Sequence, residues 1–305
     1  MNAKRMSMVN STRRNFLRVG KATGALALSA LLVLTGCSRV PESGEGGTLQ
    51  RVKDANSIKI GIAGEVPYGY TADGEVTGEA PEVAKAVFNA MGIENVDATQ
   101  VEFSQLIPAL NAGQFDMVAA GMAILPARCG NAQFSAVDYV TPTALLVPTG
   151  NPEQINNFDD IKAKGVKLAV LSGTVEEAVA HDLGIPAGDI QPYEGQPEML
   201  QALLDGRAYA GALTDISLRR MLADNPTAPL EVTEGFVPVV NGQKQIQAGG
   251  FVFRKGDDPL VEEFNAELDK LHDSGQWLDI VEPFGFTEDN LPPDDLTTAQ
   301  LCEAA

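Results

Sequence analysis

Apolar residues fall in short runs, separated by glycine, proline and charged residues, and the period of each run predicts an element. "SIKIGIA" (57–63) is a run of strand length. Pro81 then opens a helix whose apolar face is Val83, Ala84, Val87, Phe88 and Met91, closed by Gly92. "VDATQVEF" (96–103) predicts a second strand, ending on Phe103. Leu106, Ile107 and Leu110 mark a short helix stopped near Gly113, and "FDMVAAG" (115–121) predicts a third strand. A βαβαβ order of this kind predicts a parallel sheet with right-handed crossovers.

The pattern then restarts. "VKLAVL" (166–171) is a strand, "SGTVEEAVAHDLG" (172–184) a turn and helix, and "DIQPY" (189–193) a strand. A helix over 197–205 carries Leu200, Leu203 and Leu204, and "AYAGAL" (208–213) is again a strand. "AGGFVFR" (248–254) predicts one more, followed by a helix with Leu260, Val261, Phe264, Leu268 and Leu271 on one face. The order of elements repeats while the sequence does not, which implies two similar α/β lobes. Lobe one takes 57–145 and 250–293, lobe two takes 146–249, and 294–305 is a C-terminal tail. The chain would cross between lobes near 145–149 and 246–250. Two crossings make a hinge, and ligands of α/β folds bind in such clefts.

The amino terminus follows a different pattern. Lys4, Arg5, Arg13, Arg14, Arg18 and Lys21 precede an apolar stretch from Ala25 to Val33, which ends in "LTGC" (34–37). The run is too short to span a bilayer. Two arginines before Phe16 and Leu17 match the twin-arginine export pattern. Cys37 matches a lipoprotein processing site, where lipid would be attached. Residues 1–37 are therefore expected to be an export signal. Residues 38–56, rich in Gly, Ser and Glu, are expected to be a flexible tether. This places the protein outside the cytoplasm, held to the membrane by a lipid.

Charge narrows the partners. The net charge is −19, and every acidic residue lies after Cys37. Phosphate would be repelled, so nucleic acid is not an expected partner. Cys129 and Cys302 have no neighbours at metal-ligand spacing. Outside the cytoplasm they either pair, tying the tail to the body, or stand as unrelated thiols. His181 and His272 lie on helices without partners at ligand spacing and read as structural. Trp277 reads as packing. No metal or other cofactor is expected.

Several strings carry a resemblance. "GIAGEVPYGY" (61–70), "TGEAPEVAKAV" (77–87), "VEFSQLIPALNAGQFDMVAAGMAILPARC" (101–129), "SGTVEEAVAHDLGIP" (172–186) and "VEPFGFTEDNLP" (281–292) resemble the polar-amino-acid branch of bacterial extracellular solute-binding proteins. Within that branch they are more similar to ectoine- and hydroxyectoine-binding proteins. "GEAPE" is the telling run, because amino-acid binders usually carry Gly-aromatic-Asp there. The resemblance covers most of residues 57–292. It implies the two-lobed periplasmic-binding-protein fold of type II, which closes like a flytrap, and docking of the closed form on the permease subunits of an ABC importer.

The resemblance also implies a site for a small zwitterionic solute. Arg128 would be the carboxylate-binding arginine, its planar fork pairing through two parallel hydrogen bonds. Backbone N–H groups from Gly121 to Ala123 would assist. Glu65 would face the diffuse cation, with Tyr68 and Phe103 offering ring faces and Tyr70 a weaker candidate. Ectoine binders usually place a third aromatic where Ala123 stands, so one wall of the cage would be missing. Thr174 and Glu177 form a capping box by spacing, and the free N–H groups there can also take a carboxylate. Asp215 is either a ligand for an amino group or the N-cap of a helix. A different function on the same fold is a dehydratase, for which Glu65 has no evident acid–base partner. A membrane-receptor sensor domain is a third. Binding without catalysis is the expected function.

Overall fold

A computed structural model describes residues 47–303. The expected export signal with Cys37, and the first part of the expected tether, lie outside the described residues.

Residues Gly47–Ala55 form a helix, where a tether to residue 56 was expected. Leu49 and Val52 lie three residues apart, on one helical face, and Val52 is fully buried in the core of the first lobe. Thr48 donates to Asp257 at 2.6 Å, Lys53 reaches Glu263 at 2.6 Å, and Arg51 pairs with Asp116. The polar composition of the segment concealed this, because Thr48, Arg51 and Lys53 find their partners far along the chain.

The first sheet has the strand order Asn95–Gln100, Ser57–Ile62, Met117–Ala123, Gln247–Phe253, Gln133–Phe134, with Tyr139–Thr141 also paired to Gln247–Phe253. Its first three strands are parallel, as the βαβαβ pattern predicts, and Gln247–Phe253 runs antiparallel beside Met117–Ala123. Helices Glu79–Ala90 and Asp258–Ser274 cover it, burying Val83, Val87, Phe88, Leu260, Phe264 and Leu268. Each such side chain contributes about 1.5–3 kcal/mol by leaving water. The second strand ends at Gln100, and Phe103 begins a 3-10 turn, Phe103–Gln105, instead of closing the strand.

The second sheet orders Ile190–Tyr193, Leu168–Leu171, Ala210–Thr214, Thr143–Pro148, Leu230–Val232. Thr143–Pro148 already pairs in this sheet, antiparallel to Ala210–Thr214, so the first crossing falls at Pro142 and not at 145–149. The apolar run through Leu145 and Leu146 is buried whichever sheet holds it, and so its pattern could not mark the boundary. The strand Gln247–Phe253 lies wholly in the first sheet, which puts the second crossing just before it.

The tail folds back. Cys129 and Cys302 are joined by a disulfide, Cα atoms 5.7 Å apart, which resolves the alternative left open by sequence. The bond holds helix Thr298–Glu303 against the short helix Pro126–Cys129, with Leu296 and Leu301 packed on a core cluster of the first lobe.

Candidate ligand-binding site

Seven of the eight residues expected to bind ligand converge on one small cavity: Glu65, Tyr68, Phe103, Gly121, Ala123, Arg128 and Thr174. The reason is topological. Glu65 and Tyr68 follow the first strand, Phe103 follows the second, and Gly121 to Arg128 end the third. The carboxyl ends of adjacent parallel strands share one edge of the sheet.

The loop that carries Glu65 and Tyr68 is tied by Gly64 N–H donating to Gly69 O at 2.8 Å and Gly69 N–H to Glu65 O at 2.9 Å. Tyr68 is 1% exposed, its ring lying against Gly121, where any Cβ would stand 2.1 Å from a ring atom; Gly121 also has φ +59°. Tyr139 packs against Tyr68 at 5.3 Å and donates its hydroxyl to Gly121 O at 2.7 Å. Tyr68 lines the cavity, and Tyr139 supports it from behind.

Glu65 accepts from Ser217 Oγ at 2.7 Å. Burial is the main cause lifting its pKa to about 7; Glu176 adds to the rise, while Ser217 and Arg128 oppose it. Arg128 donates Nη1 to Ala123 O and Nη2 to Gly173 O, both at 2.8 Å, so its fork bridges the two lobes. Desolvation lowers its pKa to about 10, which leaves it charged at neutral pH. Phe103 lies 5.3 Å from this guanidinium. Its ring face is therefore turned to Arg128, whereas the sequence suggested a solute cation.

Thr174 is the N-cap of helix Val175–Asp182, but the capping box does not form. The Thr174 hydroxyl donates to Leu171 O at 2.8 Å, and Glu177 accepts from Gly173 N–H at 2.7 Å. Asp215 lies outside the cavity lining, as does Tyr70. Asp215 sits in the first turn of helix Asp215–Asp224 and pairs with Arg219 at 2.6 Å. The N-cap is Thr214, one residue earlier, whose hydroxyl also accepts from Tyr68 at 3.2 Å. A one-residue phase error at a strand-to-helix junction moves a side chain from the cavity to the helix flank.

The second lobe and the hinge supply what the sequence reading missed: Val175, Glu176, Leu213, Thr214 and Gln247. Glu176 is 2% exposed and accepts from Gln247 Nε2 at 2.6 Å; Gln247 also donates to Thr143 Oγ1 at 2.7 Å. Burial raises the Glu176 pKa. Its place directly after Thr174 was the available signal. His272 and Trp277 are structural, as expected, and both reach Asp138. A wider apolar groove lies beside the hinge, lined by Ile124, Val140, Ile246 and Leu301, but it lacks convergent buried charges. No cluster of metal-ligating side chains occurs among the described residues.

Two α/β lobes, joined by paired crossings and closed over a small cavity with one guanidinium and two carboxyl groups, define a protein that encloses a small charged solute. Residues 58–287 match the bacterial extracellular solute-binding proteins, family 3, and the chain belongs to that family. It is a solute-binding protein of the amino-acid ABC-transporter type, and the family implies an extracytoplasmic location and an ABC transporter as partner. A probable amino-acid ABC transporter periplasmic-binding protein of Sinorhizobium fredii is 32% identical, over 84% of this chain and 86% of its own. The L-arginine-binding protein of Pseudomonas aeruginosa is 28% identical, over 86% and 94%. The crystal structure of EhuB in complex with hydroxyectoine aligns with a TM-score of 0.76 and 31% identity, over 85% of this chain and 98% of that one.

Proposed function

We propose that the protein captures ectoine or 5-hydroxyectoine, or a compatible solute of the same charge pattern, and delivers it to an ABC importer. The observation that carries this reading is that Arg128 and Glu65 line one cavity together with the ring of Tyr68. Arg128, with the N–H groups at the start of helix Val175–Asp182, would hold the carboxylate. Glu65 would neutralise the amidinium, and Tyr68 would give it a ring edge or face. A ring is absent at Ala123, which leaves room for the added hydroxyl of hydroxyectoine. The similarity to EhuB, solved with hydroxyectoine, points the same way.

A second reading rests on Glu176. Two buried carboxyl groups beside one arginine also suit a polar amino acid with a cationic side chain, and an L-arginine-binding protein is among the relatives. Calorimetric titration with ectoine, hydroxyectoine, proline betaine, arginine and a set of other amino acids separates the two. Tight binding of ectoine or hydroxyectoine supports the first reading; tight binding of an amino acid with no response to either ectoine replaces it. Turnover measured on the same panel would expose a dehydratase-like activity.

Export by the twin-arginine route and lipid attachment at Cys37 belong to the same proposal, supported by the leader pattern. Cys37→Ala should release the protein from membranes or block its processing, as read by membrane fractionation. A variant as membrane-bound and as fully processed as wild type would sink the anchor.

A further inference from the structure

The helix Glu79–Ala90 begins with a carboxyl group that the ligand cavity does not use, the glutamate of the "GEAPE" run. Glu79 is 0% exposed, and neither of its oxygens meets a hydrogen-bond donor among the described residues. What it faces is a second carboxyl, that of Asp138. Asp138 is also buried, and its Oδ1 accepts from Trp277 Nε1 at 2.8 Å and lies 3.2 Å from His272 Nε2. Two ionised carboxylates in contact would repel, and an ionised Glu79 without a donor would bear its whole desolvation cost. One proton removes both difficulties, because a protonated Glu79 is a donor and Asp138 an acceptor. The donors cluster on Asp138 and none reaches Glu79, so the proton resides on Glu79.

Glu79 adjoins Tyr68, which lines the cavity. Glu79 N–H donates to Pro67 O at 2.9 Å and Ala80 N–H to Tyr68 O at 3.0 Å, so the first turn of the helix holds the loop that carries Tyr68. Both Tyr68 and Tyr139 lie close to Glu79. His272 of helix Asp258–Ser274 contacts Asp138. On that same helix Glu263 and Glu267 are taken by Lys53 and Lys270. The strand Met117–Ala123 carries no titratable side chain, and Asp279 and Glu75, on the other packed elements, are exposed. On its own helix, Glu82 and Lys85 pair with each other at 2.8 Å.

We propose that Glu79 and Asp138 share one proton, carried by Glu79, and that this hydrogen bond positions Tyr68, with Tyr139 packed behind it, at the ligand cavity. Burial first, and Asp138 second, hold the Glu79 carboxyl well above the ordinary carboxylate range. A raised acid of this kind stabilises the fold fully below its unfolded value. That contribution is lost as pH rises through the folded value.

The test compares ligand-free wild type with Glu79→Gln, whose amide can donate to Asp138 but cannot ionise. At pH 7 the wild-type-minus-variant infrared difference spectrum, in which the shared carboxyls of Glu65 and Glu176 cancel, should show the carbonyl band of one protonated carboxyl. Between pH 5 and 9 the melting midpoint of wild type should fall relative to the variant by about 3–5 °C per pH unit, up to the folded value of Glu79. A spectrum without that band, or parallel melting profiles, overturns the shared proton. Should Glu79→Gln not fold, Asp138→Asn carries the test: the acid band of wild type must shift when its acceptor changes, and an unshifted band overturns the proposal. The positioning role rests on the functional reading above, and its probe is hydroxyectoine. The affinity of wild type relative to Glu79→Gln should fall several-fold from pH 7 to 9, and a constant ratio removes that role. A complete lack of hydroxyectoine binding would instead count against the functional reading, leaving the infrared and melting results to decide the dyad.

Discussion

Arg128 spends both ends of its fork on carbonyl groups, Ala123 O in one lobe and Gly173 O in the other. A carboxylate between them would replace neutral acceptors with a charged one, and charge-assisted pairs are about twice as strong. Arg128→Ala should therefore weaken binding of any carboxylate-bearing solute by roughly 2–5 kcal/mol, with the fold intact. Arg128→Lys should restore only part, since an ammonium cannot bridge two acceptors in one plane. Titration calorimetry with far-ultraviolet circular dichroism checks both, and unchanged affinity in the alanine variant would take Arg128 out of the site. Glu65 gives a pH signature. With its pKa at about 7 in the ligand-free cavity, it is largely neutral in acid and ionised above neutrality. A cationic solute pairs with the ionised form, so binding should release a proton. Affinity should rise by up to about tenfold per pH unit below 7, and Glu65 should add no further rise above it. Without ligand the sign is opposite, because the raised acid costs stability as pH climbs. Glu65→Gln should flatten the affinity profile; a wild-type profile already flat from pH 5 to 8 would mean that Glu65 does not face the cation.

At the scale of elements, the cavity depends on how strand ends and helix starts are braced. The disulfide from Cys129 to Cys302 closes a sequence separation of 173 residues, and Cys129 directly follows Arg128. It lies outside the cavity lining, so its effect should be on stability more than on affinity. Replacing both cysteines by serine should lower stability by about 2–5 kcal/mol, read as a lower melting temperature, with affinity changed by less than about threefold. An equal melting temperature would show that the packing of Leu296 and Leu301 holds the tail unaided. The helix Gly47–Ala55 is a second brace, bound to the first lobe through Val52 and through ion pairs of Arg51 and Lys53.

The molecule as a whole is closed. Tyr68 with Thr214, Glu65 with Ser217, Arg128 with Gly173, and Val66 with Gln196 all join one lobe to the other. Gln196 makes two of these contacts, accepting from Val66 N–H at 3.0 Å and donating to Val66 O at 2.8 Å, and it touches no part of the cavity. Losing both should weaken the closed state by about 1–3 kcal/mol. Gln196→Ala should therefore bind at least about fivefold more weakly, chiefly through faster dissociation, since closure follows entry. Surface plasmon resonance resolves the two rates; an unchanged off-rate would show that closure does not depend on this pair.

The sequence by itself determined the two α/β lobes and the half of the site that comes from the first lobe. Period and punctuation are local properties, and Glu65 and Tyr68 follow the first parallel strand while Arg128 follows the third, which places them at one edge without further information. The tertiary structure decided everything that depends on contact between distant segments. Pro142 marks the first crossing because pairing, and not hydrophobicity, assigns Thr143–Pro148 to the second sheet. Phe103 faces Arg128 from a 3-10 turn that follows the strand end at Gln100, and Asp215 yields its expected place to Thr214 because a single-residue shift at a strand end reverses where a side chain points. Glu176 and Gln247 lie far apart in the chain and come together in the cavity only through the tertiary fold, meeting at 2.6 Å. Glu79 and Asp138 are two ordinary acidic residues in the sequence. Folding makes them a pair, because only the packed core removes the water that would otherwise keep both charged.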